Sequence, residues 1–221
     1  ITIFGIGGLG GSIAEQLVRS GCENIVICDN DKFETSNINR QLCTIHTIGK
    51  FKVDVLKNHL EEINPQANIK KYYEVNKFNI YSILKETKVA TLTLDDPITS
   101  ILVSRKCFKE KIPLIESFGF PYLCAWWFTP QSIDYESFYG LDTHNKPIEL
   151  LRKEKDQISN IKMQISKFLL KFPGLRETYS REEGVLEKMY SGELPLVSIA
   201  PIIRLMASYI TFEIIFTSIL R

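Results

Sequence analysis

The sequence predicts an α/β protein built on a doubly wound, Rossmann-like sheet, parallel in its first half, with antiparallel strands and a helical part towards the C-terminus. Two observations predict this fold class. The chain begins with a β-branched and aromatic run, residues 1–4, which passes through five glycines in residues 5–11 into a helical pattern over residues 13–19. Further strand patterns then alternate with helical patterns, and the second and fourth strands end in acidic residues.

The glycine turn is the first candidate functional element. Strand, glycine turn and helix in this order aim the N-terminal amides of the helix at a phosphate group. The spacing of Gly5, Gly7 and Gly10, with Gly8 between them, fits a dinucleotide-binding loop. That spacing alone is a weak signal, because a tight turn with close helix–sheet packing and no ligand uses the same glycines.

Composition sets the broad class. With 221 residues, 44% of them apolar and 24% charged, the chain suits one large soluble domain, or one domain with an appended subdomain. Its net charge of +1 argues against a surface that binds nucleic acid, but not against a local phosphate site. The five cysteines are odd in number and never spaced C-x-x-C, which favours reduced thiols in the cytoplasm and no zinc site.

A second buried strand is predicted over residues 25–28, and it ends in Asp29 and Asp31. Asp29 lies nineteen residues after Gly10, where a doubly wound fold places a carboxylate that binds ribose hydroxyls. An acidic turn after a strand is the simpler alternative. Because the glycines are in register, we expect Asp29 to take the ribose role.

A cationic segment follows the second strand. Residues 35–41 have neither helical nor strand periodicity, and an amphipathic helix is predicted over residues 53–63. Arg40, Lys50 and Lys52 therefore lie in loops or at a helix start, just past the carboxyl end of the strand, where open α/β sheets bind ligands. Cations in this place suit a triphosphate better than an uncharged ligand, and the alternative is a solvated loop.

Two adjacent carboxylates are expected at the same edge of the sheet. Asp95 and Asp96 directly follow a buried parallel strand predicted over residues 89–94, so they are expected at this edge, opposite the cations. There they would suit magnesium bound to a nucleotide. The alternative is a helix N-terminus, in which an Asp caps the helix predicted over residues 98–109.

The rest of the chain supplies elements without evident chemistry. We predict a helical insertion or lid over residues 132–196, inside a single domain of residues 1–221. Arg204 and Glu213 interrupt the apolar run near the C-terminus, which favours a core helix over a membrane span. The other predicted elements are strands over residues 67–73, 113–117 and 122–128 (the last antiparallel), a short helix over 81–86, a loop over 132–147, and helices over 153–172, 177–189 and 201–220.

Five ordered motifs resemble the ThiF/MoeB/HesA family of adenylating enzymes, which are related to ubiquitin-activating enzymes. Together the five are specific, whereas one glycine loop is not. The end of the chain, from Ser198 onward, is also similar to the closing helix of the family domain. The motifs are residues 5–10 (GIGGLG), 29–31 (DND), 36–41 (SNINRQ), 49–52 (GKFK) and 94–97 (LDDP).

The resemblance implies an enzyme that binds ATP with magnesium, usually as a homodimer, and converts a carboxylate into an acyl-adenylate with release of pyrophosphate. By position, the loop of Gly5, Gly7, Gly8 and Gly10 would approach the nucleotide. Asp29 would hold the ribose, and Asp31 in the same motif is a further candidate for binding the nucleotide. The resemblance further implies phosphate contacts from Asn37, Arg40 and Lys52, and a magnesium-associated carboxylate at Asp95.

The chain departs from the family pattern in several places. The two C-x-x-C pairs that bind zinc in many members are absent, and no cysteine matches the later one that forms a thioester or persulfide. Asp96 stands where Asn or His is usual, and the arginine that crosses the family's dimer would lie before Ile1. These departures favour the branch that modifies small molecules and peptides, such as the microcin-maturing enzymes and those that adenylate a pyridinol cofactor precursor. Cys43 is a candidate reactive thiol.

We therefore expect an adenylyltransferase with Arg40, Lys52 and Asp95 as catalytic residues. Its substrate would be a small-molecule acid or the C-terminus of a small carrier protein or peptide, and a partner protein or small nucleophile would accept the acyl group. One alternative is an NAD- or FAD-dependent oxidoreductase, which leaves the cationic segment without a role. The other is a nucleotide-binding scaffold subunit without turnover, which fits the missing zinc and cysteines.

Overall fold

A computed structural model describes residues 1–119, 123–144, 146–154, 156–172, 184–185, 188, 193–194 and 198–219. In this part of the chain, six strands form one sheet in the order β3-β2-β1-β4-β5-β6. The first five are parallel and β6 is antiparallel to β5, which confirms the predicted doubly wound fold. The strands are β1 Thr2–Phe4, β2 Asn24–Cys28, β3 Asn68–Tyr72, β4 Ala90–Leu92, β5 Leu114–Gly119 and β6 Leu123–Phe128.

Helices cover both faces of the sheet. On one face α1, α2 and α8 form a hydrophobic core with the sheet, and on the other face α3, α4, α5 and α7 form a second core. Because α1 follows β1 on one face and α4 follows β4 on the other, the carboxyl ends of these neighbouring strands open a crevice. The helices are α1 Gly8–Arg19, α2 Lys52–Ile63, α3 Ile80–Leu84, α4 Pro97–Lys109, α5 Tyr135–Tyr139, α6 Ile148–Lys153, α7 Gln157–Leu169 and α8 Ala200–Ile219.

The loop predicted over residues 132–147 is wrong in part, because it contains the short helix α5. Asp134 caps this helix by accepting a hydrogen bond from the Ser137 amide at 3.0 Å. The hydroxyls of Tyr135 and Tyr139 donate to the buried carboxyl group of Glu116 on β5. Burial raises the Glu116 pKa to about 7, against the effect of the two phenol donors. Tertiary contacts therefore stabilise a helix too short to show a sequence period.

The helical insertion predicted over residues 132–196 stays a prediction. Its described residues include α5, α6 and α7, and α7 corresponds to the helix predicted over residues 153–172. Most of the second charged helix, predicted over residues 177–189, lies outside the described residues, which include only 184–185 and 188 of this range.

The C-terminal helix α8 packs along α1. Within the described residues, α8 is the one helix long and apolar enough to cross a membrane, and 33% of that span is buried inside the protein. Both charges that interrupt it have protein partners: Arg204 donates to Glu15 on α1, and Glu213 accepts from the Trp127 indole on β6. One face of α8 thus belongs to the core, as predicted, through Met206, Ala207, Ile210 and Ile214.

We predict that Glu15→Gln lowers the stability of the fold, because Glu15 joins three helices. Its carboxylate accepts from Arg19 and Arg204 and lies 3.6 Å from the His59 Nε2 atom on α2. Partial burial favours the neutral acid, but these cations outweigh it and lower the Glu15 pKa. In urea titrations at pH 7 we expect a loss of about 1–2 kcal/mol in the free energy of unfolding.

This loss should depend on pH with a defined sign. Because the folded pKa is lowered, the stabilisation is present above the unfolded glutamate pKa of about 4.3 and disappears as the pH falls through the folded value. Glu61→Gln is the matched control, since its pair with Lys57 is a half-exposed ion pair within α2 that joins no other helix and contributes little energy. Equal losses in the two variants, or a Glu15→Gln loss independent of pH, would contradict the prediction.

Candidate nucleotide-binding site

The glycine turn is packed too closely for larger residues at two positions. Gly5 has φ +86°, and a Cβ atom there would lie 2.3 Å from the Thr93 carbonyl oxygen, just after β4. At Gly10 a Cβ atom would lie 1.9 Å from the Gly5 oxygen. Thr93 also donates its hydroxyl to the Gly5 carbonyl at 2.6 Å. These glycines therefore let β1, α1 and the end of β4 approach one another at the crevice.

The start of α1 faces the same crevice without a cap. Gly7 precedes the helix, and no side chain in the described part of the chain accepts a hydrogen bond from its first amides. The aliphatic stem of Arg40 covers Gly8, where a Cβ atom would lie 3.3 Å from Arg40 Cγ. Uncapped amides at a helix N-terminus favour an anion, so this end of α1 suits a phosphate group.

Asp29 fastens the glycine turn to the end of β2. The Ile6 amide donates to one carboxylate oxygen of Asp29 and the Asp31 amide to the other, both at 2.8 Å. Asp29 is 9% exposed, and burial raises its pKa, while the two amides and Lys52 favour the charged form. Asp29, the residue predicted to bind ribose, therefore lies beside the glycine turn. Each of its carboxylate oxygens retains a lone pair for another donor.

The cationic segment lies along the same edge of the sheet. Lys52 is buried, and its ammonium group pairs with the Asp31 carboxylate at 2.8 Å. Arg40 donates from Nη1 to the Ser36 carbonyl and the Asn39 side chain at 3.0 and 2.8 Å. Asn37 is buried, and its side-chain oxygen accepts from the Glu34 amide at 3.1 Å. Lys52 is therefore close enough to Asp29 to favour its charged form, and Arg40 lies over Gly8 at the start of α1, whereas Asn37 contacts only its own segment within the described residues.

The two carboxylates after β4 have different environments. Asp96 caps α4 by accepting from the Ile98 amide at 3.1 Å, and it also pairs with Arg152 Nη2 at 3.1 Å. Asp95 is exposed, and no hydrogen bond or ion pair involves it within the described residues. The capping alternative therefore applies to Asp96, and Asp95 is the carboxylate available to a ligand.

Sequence reasoning missed the helix that borders the site on the other face. Glu149 of α6 pairs with Lys77, in the loop after β3, and Arg152 of α6 pairs with Asp96 after β4. The two pairs therefore fix α6 near the carboxyl edge of the sheet. Its sequence is an ordinary charged run, so only the tertiary contacts reveal this placement.

Two other chemical candidates are weaker. Burial raises the pKa of the Cys43 thiol, against the opposing effect of Lys52 and Arg40, which disfavours a reactive thiolate at neutral pH. The ligand atoms of Asp134, Glu136 and His144 lie within 4.8 Å of one another. Arg105, however, forms a bidentate ion pair with Glu136, so a cation already occupies this cluster of possible metal ligands.

We predict that Gly5→Ala destabilises the protein more than Gly21→Ala. Both glycines have positive φ, +86° and +89°, so the backbone strain of an alanine is similar. The new methyl group at Gly5 would collide with Thr93, whereas nothing lies within 4 Å of it at Gly21. Urea unfolding should show an extra loss of about 2 kcal/mol or more for Gly5→Ala. Equal losses would show that the close packing of the turn is unimportant.

Comparison with known proteins agrees with this geometry. The model of the ThiF family matches residues 1–219. The tRNA threonylcarbamoyladenosine dehydratase of Bacillus subtilis (strain 168) is 32% identical over 123 residues, which cover 54% of this chain and 48% of that protein. The adenylyltransferase and sulfurtransferase UBA4 of Candida glabrata is 35% identical over 108 residues, 47% of this chain and 24% of that protein. The chain thus spans half or less of these relatives.

Two solved structures of known proteins are also similar to this chain. The E. coli tRNA N6-threonylcarbamoyladenosine dehydratase TcdA in complex with ATP has 25% identity and a TM-score of 0.51, covering 53% of this chain and 50% of that one. E. coli MccB with ATP has 20% identity and a TM-score of 0.62, covering 98% of this chain and 55% of that one, and supports the fold alone. Because the family model spans nearly the whole chain, the protein belongs to the ThiF family.

Proposed function

We propose that the protein uses ATP to adenylate a carboxylate, giving an acyl-adenylate and pyrophosphate. The observation that carries the proposal is the convergence at one crevice of an uncapped helix N-terminus, buried Asp29, the cations Arg40 and Lys52, and exposed Asp95. Membership of the ThiF family supports it, and so do the adenylyltransferase relative and the ATP complex of a dehydratase relative.

The proposed reaction needs positioning and charge stabilisation more than proton transfer. A carboxylate oxygen attacks the α-phosphorus of ATP, and the bond to the bridging oxygen breaks as pyrophosphate leaves with the electron pair. The nucleophile is already an anion, so the site needs no general base. Arg40 and Lys52 would offset the negative charge that develops on the phosphates.

We also propose that Asp95 takes part in holding magnesium on the nucleotide. Carboxylate oxygen is the ligand type that Mg²⁺ prefers, and Asp95 is exposed and unpaired in the described part of the chain. Asp96 is less suitable, because Arg152 and the start of α4 already occupy its oxygens. A bound Mg²⁺ would supply further positive charge beside the phosphates.

The proposed substrate is a small-molecule acid or the C-terminus of a small carrier protein or peptide, and a partner or small nucleophile would take the acyl group. MccB has been solved together with MccA, which makes a peptide a reasonable first candidate. We propose a cytoplasmic location, which five free thiols support. An oxidoreductase is not favoured, because it leaves Arg40 and Lys52 without a role.

The first test is a pair of measurements on the wild-type protein. Calorimetry should show binding of Mg·ATP in preference to NAD. Exchange of labelled pyrophosphate into ATP should depend on adding one member of a panel of small acids and short peptides with free C-termini. Tight NAD binding without ATP binding would favour the oxidoreductase, and ATP binding without any exchange would favour the scaffold subunit.

We predict that Arg40→Ala and Lys52→Ala each slow acid-dependent pyrophosphate exchange. The expected loss is about 2–4 kcal/mol of transition-state stabilisation, the size found when one electrostatic donor is removed from a reacting oxyanion. Lys109→Ala is the control, because Lys109 is an exposed cation at the C-terminal end of α4, at the opposite end of this helix from Asp95 and Asp96. Near-normal exchange in the first two variants would contradict the assignment of Arg40 and Lys52 as catalytic residues.

We further propose a homodimer that pairs α8 with α8 of a second copy. The helix turns Arg204 and Glu213 towards protein partners and exposes large apolar side chains instead. Their spacing of three and four residues is the pattern that packs one helix against another. A helix with this single stripe is complementary to itself about a two-fold axis. The stripe is Ile202, Leu205, Tyr209, Phe212 and Phe216, each 37–59% exposed.

We predict that Phe212→Glu converts the protein from a dimer into a monomer. A charge in the centre of the stripe would be buried without a partner in the dimer. Light scattering coupled to size-exclusion chromatography should show the change of mass. Phe78→Glu is the control, because Phe78 is 84% exposed on a different surface. A wild-type monomer, or one that sediments with lipid vesicles instead of dimerising, would contradict the proposal.

A further inference from the structure

Arg152 on α6 uses only part of its hydrogen-bonding capacity. Its Nη2 atom donates to Asp96 Oδ2 at 3.1 Å and to Thr99 Oγ1 at 2.7 Å, which accounts for both hydrogens of that nitrogen. Its Nη1 and Nε atoms have no acceptor in the part of the chain that the structure describes. Because the side chain is 45% exposed, these donors and the positive charge are accessible to a ligand.

The fold fixes the place of this guanidinium group before any ligand binds. Leu151, the preceding residue of α6, is fully buried in the core that includes α4. Asp96 and Thr99, the two acceptors, belong to the cap and first turn of α4. A side chain already held at one nitrogen loses little further freedom when its other donors bind a ligand, which favours binding.

Arg152 also borders the crevice on the side opposite to the other cations. Asp96 directly follows Asp95, the free carboxylate at the crevice, so Arg152 lies on the α4 side. Arg40 covers the start of α1, and Lys52 begins α2, on the other face of the sheet. Phosphates placed beside α1 would use Arg40 and Lys52. The proposed reaction also brings in a second anion, the carboxylate, and Arg152 is the cation on the remaining side.

We infer that Arg152 is a substrate-binding residue that receives the carboxylate to be adenylated. A guanidinium group is always charged and matches the geometry of a carboxylate. Its charge offsets the repulsion between the anionic acid and the phosphates of ATP. One carboxylate oxygen stays on Arg152 while the other attacks the α-phosphorus. The inference rests on the proposed adenylation and makes Arg152 the group that selects a free carboxylate over a neutral amide.

The test measures pyrophosphate exchange against acid concentration, with the acid of the panel that gives the fastest exchange in the wild-type protein. In Arg152→Gln the acid concentration for half-maximal exchange should rise about tenfold, the effect of one hydrogen bond between charged groups. The maximal rate and the affinity for Mg·ATP, measured by calorimetry, should change much less. Arg152→Lys keeps the charge without the planar donors and should restore part of the affinity for the acid.

Lys153→Gln is the matched control, because it removes the same charge from the same helix without touching Asp96 or Thr99. The carboxamide of the same acid carries no charge, so it should inhibit exchange equally in the wild type and in Arg152→Gln. An unchanged half-maximal concentration in Arg152→Gln would overturn the inference. An equal weakening of the carboxamide or of Mg·ATP would also overturn it, since it indicates a distorted site.

Failure of the proposed function has a different signature. It would show in the wild-type protein itself, as absent ATP binding or as absent exchange with every acid of the panel, and would overturn both proposals together. Where the wild type exchanges pyrophosphate, the proposed function stands, and the inference about Arg152 then depends only on the comparison of the variants.

Discussion

The structure of the site depends on one buried carboxylate, that of Asp29. Its two oxygens accept from the amides of Ile6, in the glycine turn, and Asp31, after β2, both at 2.8 Å. Asp31 in turn accepts from the Lys52 amide through its backbone and pairs with the Lys52 ammonium through its side chain. Three chain segments distant in sequence are therefore aligned by a charge that burial would otherwise disfavour.

The same constraint explains why the glycine turn has no room for a side chain at Gly5. Holding Ile6 against Asp29 brings the backbone of Gly5 within contact of Thr93, after β4. The end of β4 is thereby fixed beside the turn, and Asp95 follows two residues later. Close backbone packing and hydrogen bonds to Asp29 act together, so that the N-terminus of α1 and the free carboxylate of Asp95 have a defined spacing.

The sequence predicted the parts of the structure that local chemistry determines. The apolar runs marked the parallel strands, the glycine turn marked the start of α1, and strand ends located Asp29 and Asp95 because parallel strands share a carboxyl edge. It did not predict α5, which Glu116 holds through two tyrosines, or the contact of Arg152 with Asp96. These features depend on contacts between residues 19 to 56 positions apart, so no local periodicity in the sequence indicates them.

Asp95 and Asp96 follow β4 as two identical residues, and the contact of Arg152 with Asp96 gives them different roles. In sequence, Asp95 and Asp96 are equivalent candidates for a metal ligand. In the fold, Asp96 ends the loop as the cap of α4, and Arg152 adds a cation that compensates its charge. This ion pair lowers the repulsion that a second free carboxylate would exert on the phosphates of the proposed nucleotide. Asp95 alone then remains exposed, with its charge available at the crevice.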